Sequence, residues 1–296
     1  MLIINNVCAL VICYKDYEAT SNCIKSIQLQ THAIDTIYVV DNTENPDVNN
    51  EIYNMDKVEV LKSSGNLGIS GAYYLAFQYA LSQGKEWCWT FDQDSVAREN
   101  ALEELLNNSK HIKANNVGIL ASTGISKKNG SLYKGNNASW LRLQKPNYRN
   151  SVYKCDLVIS AGSLTNLNYF KQFGYSFKDM FIDWVDFEIC IDMNRHGYSI
   201  YSCQTSFFDH YIGGDEEADY AESEDDADAI SDLRLTYLAK NSLKVILESK
   251  SKLKYPYLLF HLFKLIKHTD RKQRSLLFKT VKRSLLNYIN NVDMLN

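Results

Sequence analysis

The chain has 296 residues, 45% of them hydrophobic, and a formal net charge of −3. That length allows one large α/β domain with an appendage, or two modest domains, and the apolar content is enough for a sizeable core. The charge argues against a general nucleic-acid binder, and three prolines leave no room for a proline-rich linker.

Val7 to Tyr14 is a short apolar run of the kind that forms a fully covered strand. Cys23, Ile24 and Ile27 follow at helical spacing. Thr36–Asp41 reads as a second buried strand with an acid at its end, and Val58–Leu61 as a third. A glycine-rich turn, Gly65–Gly71, leads into Ala72, Leu75, Ala76, Tyr79 and Ala80, whose spacing predicts a helix with one apolar face, ended by Gly84. Trp87–Ser95 (W-C-W-T-F-D-Q-D-S) is an aromatic, β-branched run that stops at two carboxylates separated by one residue. Two acids at a strand's carboxyl end can hold a divalent cation against a phosphate. The plainer alternative is a helix start, with Asp94 or Ser95 as N-cap and Glu99 in the first turn. A helix with Leu102, Leu105 and Leu106 inward comes next. Strands alternating with helices predict a mostly parallel sheet covered on both faces.

From Val117 the pattern changes. Val117–Ala121 is a strand, the polar stretch Lys127–Tyr148 reads as loops with a hairpin, and Cys155–Ser160 is expected as a strand before a turn at Ala161–Ser163. Phe181–Glu188 opens a helix that stops at Gly197, and Tyr198–Cys203 is a final strand before Asp209–Gly214. Asp215–Asp228, almost all acid or alanine, is expected as a solvated, mobile loop. After Asp232 the chain reads as helical, with lysine and arginine dominant around Lys250–Arg283. There Leu258, Leu259, Leu262, Phe263 and Ile266 face one way and His261, Lys264 and Lys267 another.

The seven cysteines are odd in number, scattered, and include no C-x-x-C pair, which is the usage of reduced, buried thiols in a cytosolic protein. The N-terminus shows no basic stretch followed by an apolar block, and no apolar run is long enough to span a bilayer. A cytoplasmic protein is therefore expected.

Several short stretches, taken in order, resemble a known family: V-V-D-N (Val39–Asn42), G-N-L-G-I-S-G-A (Gly65–Ala72), F-D-Q-D-S (Phe91–Ser95) and S-A-G-S-L (Ser160–Leu164). They continue with F-I-D-W-V-D-F-E (Phe181–Glu188), H-Y-I-G (His210–Gly213) and R-L-T-Y-L-A-K-N (Arg234–Asn241). The chain resembles family 2 glycosyltransferases of the GT-A fold, specifically the bacterial rhamnosyltransferase-like members. The fold implied is α/β, a Rossmann-like, mostly parallel mixed sheet flanked by helices. A transferase domain over residues 1–230 would precede a helical, basic, amphipathic extension over 231–296.

The resemblance implies roles. Asp41 would accept hydrogen bonds from the nucleotide's base or ribose, against the alternative of a turn-forming Asp-Asn pair. Asn66 and Gly68 would let backbone approach the sugar nucleotide, at a helix start that can offer N–H groups to a phosphate. Asp92 would lie near ribose and metal, with Asp94 and His210 as ligands of Mg²⁺ or Mn²⁺; imidazole suits Mn²⁺ somewhat better. Asp186 is the expected general base of an inverting transfer, favoured as the anion by a helix N-terminus. Asp183 is its rival, and Glu188 a substrate-orienting or structural acid. Val185 stands where the family usually has an acid. Trp184 would stack on an acceptor sugar or fill core space. Arg234 and Lys240 would face the diphosphate or be ordinary helix-surface charges.

The expected reaction moves a hexose, L-rhamnose from a dTDP donor, onto a cell-surface glycan or lipid-linked acceptor. Transfer of galactofuranose or another hexose from a UDP-sugar is the nearest alternative. A nucleotidyltransferase would need a basic glycine-rich loop after the first strand, and Val11–Tyr17 has none. An inactive sugar-nucleotide-binding subunit would not need Asp94, Asp186 and His210 together. The basic, aromatic tail is expected to lie on an anionic inner membrane leaflet, with a packed helical hairpin or a homodimer interface as alternatives.

Overall fold

The computed structural model describes residues 2–63, 65–137, 150–211, 231–248, 254–267 and 269–293. The acidic run 215–228, most of the polar stretch after residue 137, and residues 212 and 213 of the H-Y-I-G motif lie outside the described residues.

The first half is a parallel sheet wrapped by helices. Strands β1 (Val7–Cys13), β2 (Ile37–Asp41), β3 (Val58–Lys62) and β4 (Trp87–Asp92) lie in the order β3-β2-β1-β4. Side chains alternate between the faces. Cys8, Leu10 and Ile12 join one core with Tyr38, Val40, Tyr73 and Phe77, while Ala9, Val11 and Cys13 join the other with Ile24, Ile27, Trp89 and Phe91. Because both faces are covered, β1 and β2 read as unbroken apolar runs. Helix α1 (Tyr17–Gln28) is capped by the Asp16 carboxylate, which accepts from the Ala19 N–H at 2.9 Å. Helix α2 (Gly68–Ser82) starts four residues before the expected Ala72. Gly68 has φ +66°, and a Cβ there would overlap the Phe181 carbonyl.

Beyond β4 the sheet is mixed. No helix starts at Asp94. Residues Ser95–Ala97 form a short strand, β5, and helix α3 (Ala101–Ser109) begins after Asn100. The helix-cap reading of Asp94 and Ser95 is thereby overturned: the backbone here pairs with another strand instead. Strand β6 (Val117–Ser126) runs five residues past the expected end, and β7 (Leu132–Tyr133) folds back on it as a hairpin. The strand expected at Cys155–Ser160 lies earlier, as β8 (Val152–Cys155). Two elements were not foreseen: β9 (Ser163–Asn166), inserted antiparallel between β4 and β6, and helix α4 (Leu167–Phe173).

Helix α5 (Val185–Arg195) ends before Gly197, and strand β10 (Ser199–His210) continues seven residues past Cys203. Its pairing with β6 shifts register between Ser202 and Phe207, after which Phe208, Asp209 and His210 pair antiparallel with β5. This bulge carries the end of β10 to the carboxyl edge of β4.

Helix α6 (Asp232–Glu248) is part of the main core: Leu243, Val245, Ile246 and Leu247 are buried beside Val185, Ile189 and Met193. Helices α7 (Lys254–Lys267) and α8 (Arg271–Asp293) pack on α6 through Leu235, Ala239, Leu265 and Leu277, and Leu258 enters the main core. All seven cysteines are buried and free of disulfides. Among the described residues no helix is long and apolar enough to cross a membrane.

Candidate active site

Two strand ends meet at the sheet's rim. Strand β4 delivers Asp92, and the turn after it delivers Asp94. Gln93, between them, clasps the end of β1: its Oε1 accepts from the Tyr14 N–H at 2.6 Å and its Nε2 donates to the Tyr14 carbonyl at 3.2 Å. Strand β10 places His210 directly opposite Ser95. Asp92, Asp94 and His210 each offer a ligand atom, and these atoms lie within 4.8 Å of one another. His210 Nδ1 is 3.6 Å from Asp94 Oδ1 and 3.0 Å from the Ser95 hydroxyl. The imidazole is also edge-on to Tyr133, with ring centroids 5.7 Å apart. Its position is therefore fixed from several sides.

Burial, with the neighbouring charges of Asp94 and Asp186, pushes the Asp92 carboxyl up to about 7, and His210 opposes the shift. Crowded carboxylates of this kind gain most from a cation. Two oxygen donors and one imidazole fit a divalent ion such as Mn²⁺ or Mg²⁺.

Asp186 lies in the first turn of α5. It lines a small hollow with Tyr73, Thr90, Ser160 and Ser163. Burial raises its pKa, the Ser160 hydroxyl and N–H work against that, and Asp183 and His210 act as lesser influences. The two acids beside it are occupied. Asp183 accepts from Arg234 Nε at 3.3 Å and Nη2 at 3.2 Å. Glu188 is fully enclosed and ion-paired with Lys244, an arrangement that accounts for it without a substrate. Among the described residues Asp186 alone of these three has no lysine or arginine partner.

The other expected residues fall as follows. Asp41 is buried at the end of β2, where its Oδ2 accepts from Tyr17 at 3.0 Å and Tyr53 at 2.8 Å, and its Oδ1 from the Thr43 N–H at 2.9 Å. Those bonds combine an Asx turn with two phenol contacts. Asn66 accepts from the Gly68 N–H at 2.8 Å. Asn42 accepts from the Leu67 N–H and donates to the Gly68 carbonyl, and the Ser70 N–H donates to Phe181. Three N–H groups at the start of α2, those of Leu67, Gly68 and Ser70, are thus engaged within the protein. Trp184 packs edge-on against Phe187 and against His261 of α7, with centroids 5.4 and 5.3 Å away. Lys240 donates to the Asp179 carbonyl at 3.4 Å. Both basic residues of α6 expected at the diphosphate therefore hold the segment before α5.

Sequence reasoning missed Tyr17 and Tyr53 altogether, and the contacts made by Gln93, Ser95 and Asn42 although these stand inside quoted motifs. Ser160 and Asn241 stand inside the motifs quoted above, but nothing in their spacing foretold a partner.

The model of the family described as Glycosyl transferase family 2 matches residues 8–173, more than half of the chain. The chain is 25% identical over 185 residues to a dTDP-rhamnosyl transferase, RfbF, of Shigella flexneri, covering 60% of each protein. It is 27% identical over 106 residues to a galactofuranosyltransferase, GlfT1, of Mycolicibacterium smegmatis, covering 36% of this chain and 35% of that one. The matches thus span less than two thirds of these relatives' length. The fold is similar to that of GalNAc-T7, solved with UDP, GalNAc and Mn²⁺, at a TM-score of 0.65 and 12% identity, covering 98% of this chain and 57% of that one. With the sheet, the acid pair at its rim and the matched family model all in agreement, the chain belongs to glycosyl transferase family 2.

Proposed function

We propose that the protein is an inverting glycosyltransferase that moves L-rhamnose from dTDP-rhamnose to a hydroxyl of a cell-surface glycan or lipid-linked acceptor. The observation that carries this is the meeting of Asp92, Asp94 and His210 beside Asp186, which, unlike its neighbours Asp183 and Glu188, has no lysine or arginine partner among the described residues. A divalent ion held there would neutralise the diphosphate as it leaves. Asp186, as the carboxylate, takes the proton from the acceptor hydroxyl while that oxygen attacks the anomeric carbon opposite the departing diphosphate. Burial raises the Asp186 pKa, and the hydrogen bonds from the Ser160 hydroxyl and N–H oppose that shift and favour the anion.

The dTDP-rhamnose reading rests on the likeness to RfbF; the likeness to GlfT1 supports a UDP-galactofuranose alternative. The bonds to Asp41 suit a nucleoside pocket formed by Tyr17, Tyr53 and Asp41 together, rather than by a lone carboxylate. For the acceptor, a cavity of about 230 Å³ lined by Tyr133, Asn136 and Phe187 shares its Val158–Ile159 wall with the hollow of Asp186. Aromatic faces with a few polar groups suit a sugar ring. The protein works at the inner face of the cell membrane, on which α7 and α8 would lie.

Thermal-shift measurements against a panel of nucleotide sugars, with and without Mn²⁺, test the reading. dTDP-rhamnose with Mn²⁺ should raise the melting temperature most, because a ligand that binds only the folded state stabilises it. Stabilisation by UDP-galactofuranose alone would move the donor assignment to the alternative. No stabilisation by any nucleotide sugar would remove the transferase reading.

A further inference from the structure

Helix α5 has no side-chain cap, yet its second residue is Asp186. The chain reaches it through unusual backbone: Phe181, Asp183 and Trp184 have φ of 61°, 60° and 65°. Bulky side chains rarely adopt this left-handed conformation, and three such residues within four positions persist only if their surroundings hold them.

The holding groups come from two helices. From α6, the Asn241 amide lies fully buried and its Nδ2 reaches three carbonyls of the segment: those of Met180 at 2.7 Å, Ile182 at 2.8 Å and Asp183 at 3.1 Å. Only the NH₂ end can meet carbonyl oxygens, so the amide's orientation is fixed. Its Oδ1 is then buried without a hydrogen-bond partner, a cost retained in the fold alongside those three contacts. Arg234 grips Asp183 with two bonds, and Lys244 donates to the Ser176 carbonyl. From α2, the Ser70 hydroxyl accepts from the Phe181 N–H at 2.7 Å and the Ser70 N–H donates to the Phe181 carbonyl at 3.1 Å. Arg234 is 60% exposed, so its bond to Asp183 adds little stability; its geometry matters more.

We propose that Asn241 is a positioning residue for the general base. Together with Arg234 it fixes the 180–184 backbone in the conformation that aims Asp186 at Ser160 and the metal-binding rim. This rests on the transferase reading above, and it gives α6, which lies beyond the part matched by the family model, a positioning part that acts through the backbone before α5.

The test uses the full chain with Mn²⁺, dTDP and dTDP-rhamnose as probes, turnover being read as dTDP release with water as the acceptor of the rhamnosyl group, and the variants Asn241→Ala and Arg234→Gln. For Asn241→Ala the expected outcome is a fall of about 10²-fold in kcat for donor turnover, the scale on which a small misplacement acts. The KM for dTDP-rhamnose and the Mn²⁺-dependent affinity for dTDP should stay within about twofold, since neither depends on the base. Amide exchange over residues 179–187 should accelerate while that of β1 and β4 does not. Should Asn241→Ala fail to fold, Arg234→Gln decides, with a smaller fall in kcat at unchanged KM. Wild-type kcat in a folded Asn241→Ala protein, or a rise in KM with kcat intact, overturns the positioning role but leaves the transferase reading standing. A wild-type protein that turns over neither dTDP-rhamnose nor a UDP-sugar overturns both.

Discussion

Asp92 is the side chain on which proton chemistry and the proposed metal site meet. Its carboxyl, ordinarily near 3.8, is raised to about 7 by burial and by the charges of Asp94 and Asp186. A raised carboxyl binds more protons folded than unfolded, so its stabilising share is full below about 3.8 and is lost as pH rises through about 7. The metal-free protein should therefore lose thermal stability between these limits as pH increases, and saturating Mn²⁺ should flatten that slope. Mn²⁺ affinity itself should weaken as pH falls below about 7, because the ion displaces a proton. Calorimetric titrations across pH 5–8 check this, and a pH-independent affinity would contradict it. At this scale the sequence was partly legible. The carboxylates at Asp92 and Asp94 announce themselves by ending an aromatic run. The partners of Asp41 and Asp186 do not, because Tyr17, Tyr53 and Ser160 are brought in by folding from other elements.

Among the elements, strands covered on both faces were easiest to read, since β1, β2 and β4 are near-continuous apolar runs. Strand β9 was hidden by its length, four residues, and by the polar Ser163, Thr165 and Asn166 within it. The extension of β10 was hidden because Gln204–Ser206 breaks the apolar pattern where the register shifts. That hidden extension carries His210, so the element hardest to read delivers a proposed ligand. The glycine turn before α2 was legible as a motif, but its physical reason is contact: Gly68 lies against Phe181, in the segment that leads to Asp186. Gly68→Ala combines a left-handed backbone with that overlap, and should destabilise the fold by about 1–3 kcal/mol. A denaturant midpoint equal to wild type would mean that the loop yields freely.

For the molecule as a whole, the helices after residue 230 have two characters. Helix α6 is core and braces the segment before α5. Helix α7 leaves Tyr255, Leu259, Phe260 and Phe263 exposed, and α8 leaves Phe278, Leu286 and Ile289 exposed, among Lys264, Lys267, Lys279, Lys282 and Arg283. An apolar stripe ringed by lysine and arginine suits an anionic lipid surface. Vesicles rich in anionic lipid should sediment the protein at low salt, less so at high salt, and Leu259→Asp with Phe263→Asp should abolish the effect without unfolding it. Retention of the double variant on vesicles would assign this face to another partner. The amphipathic pattern was visible in the sequence, whereas the burial of Leu258 and the contact of His261 with Trp184 were not. Both tie the tail to the core, so a truncation near residue 250 would damage more than membrane contact.

The proposed convergence of metal ligands and base on one site can be checked by titrating dTDP into wild type, Asp94→Asn, His210→Gln and Asp186→Asn with Mn²⁺ present, followed by turnover of dTDP-rhamnose read as dTDP release. Asp94→Asn and His210→Gln should lose Mn²⁺-dependent nucleotide binding. Asp186→Asn should keep it while turnover drops by about 10²–10⁴-fold. Wild-type binding in the His210 variant, or wild-type turnover in the Asp186 variant, would show that these side chains do not share one catalytic centre.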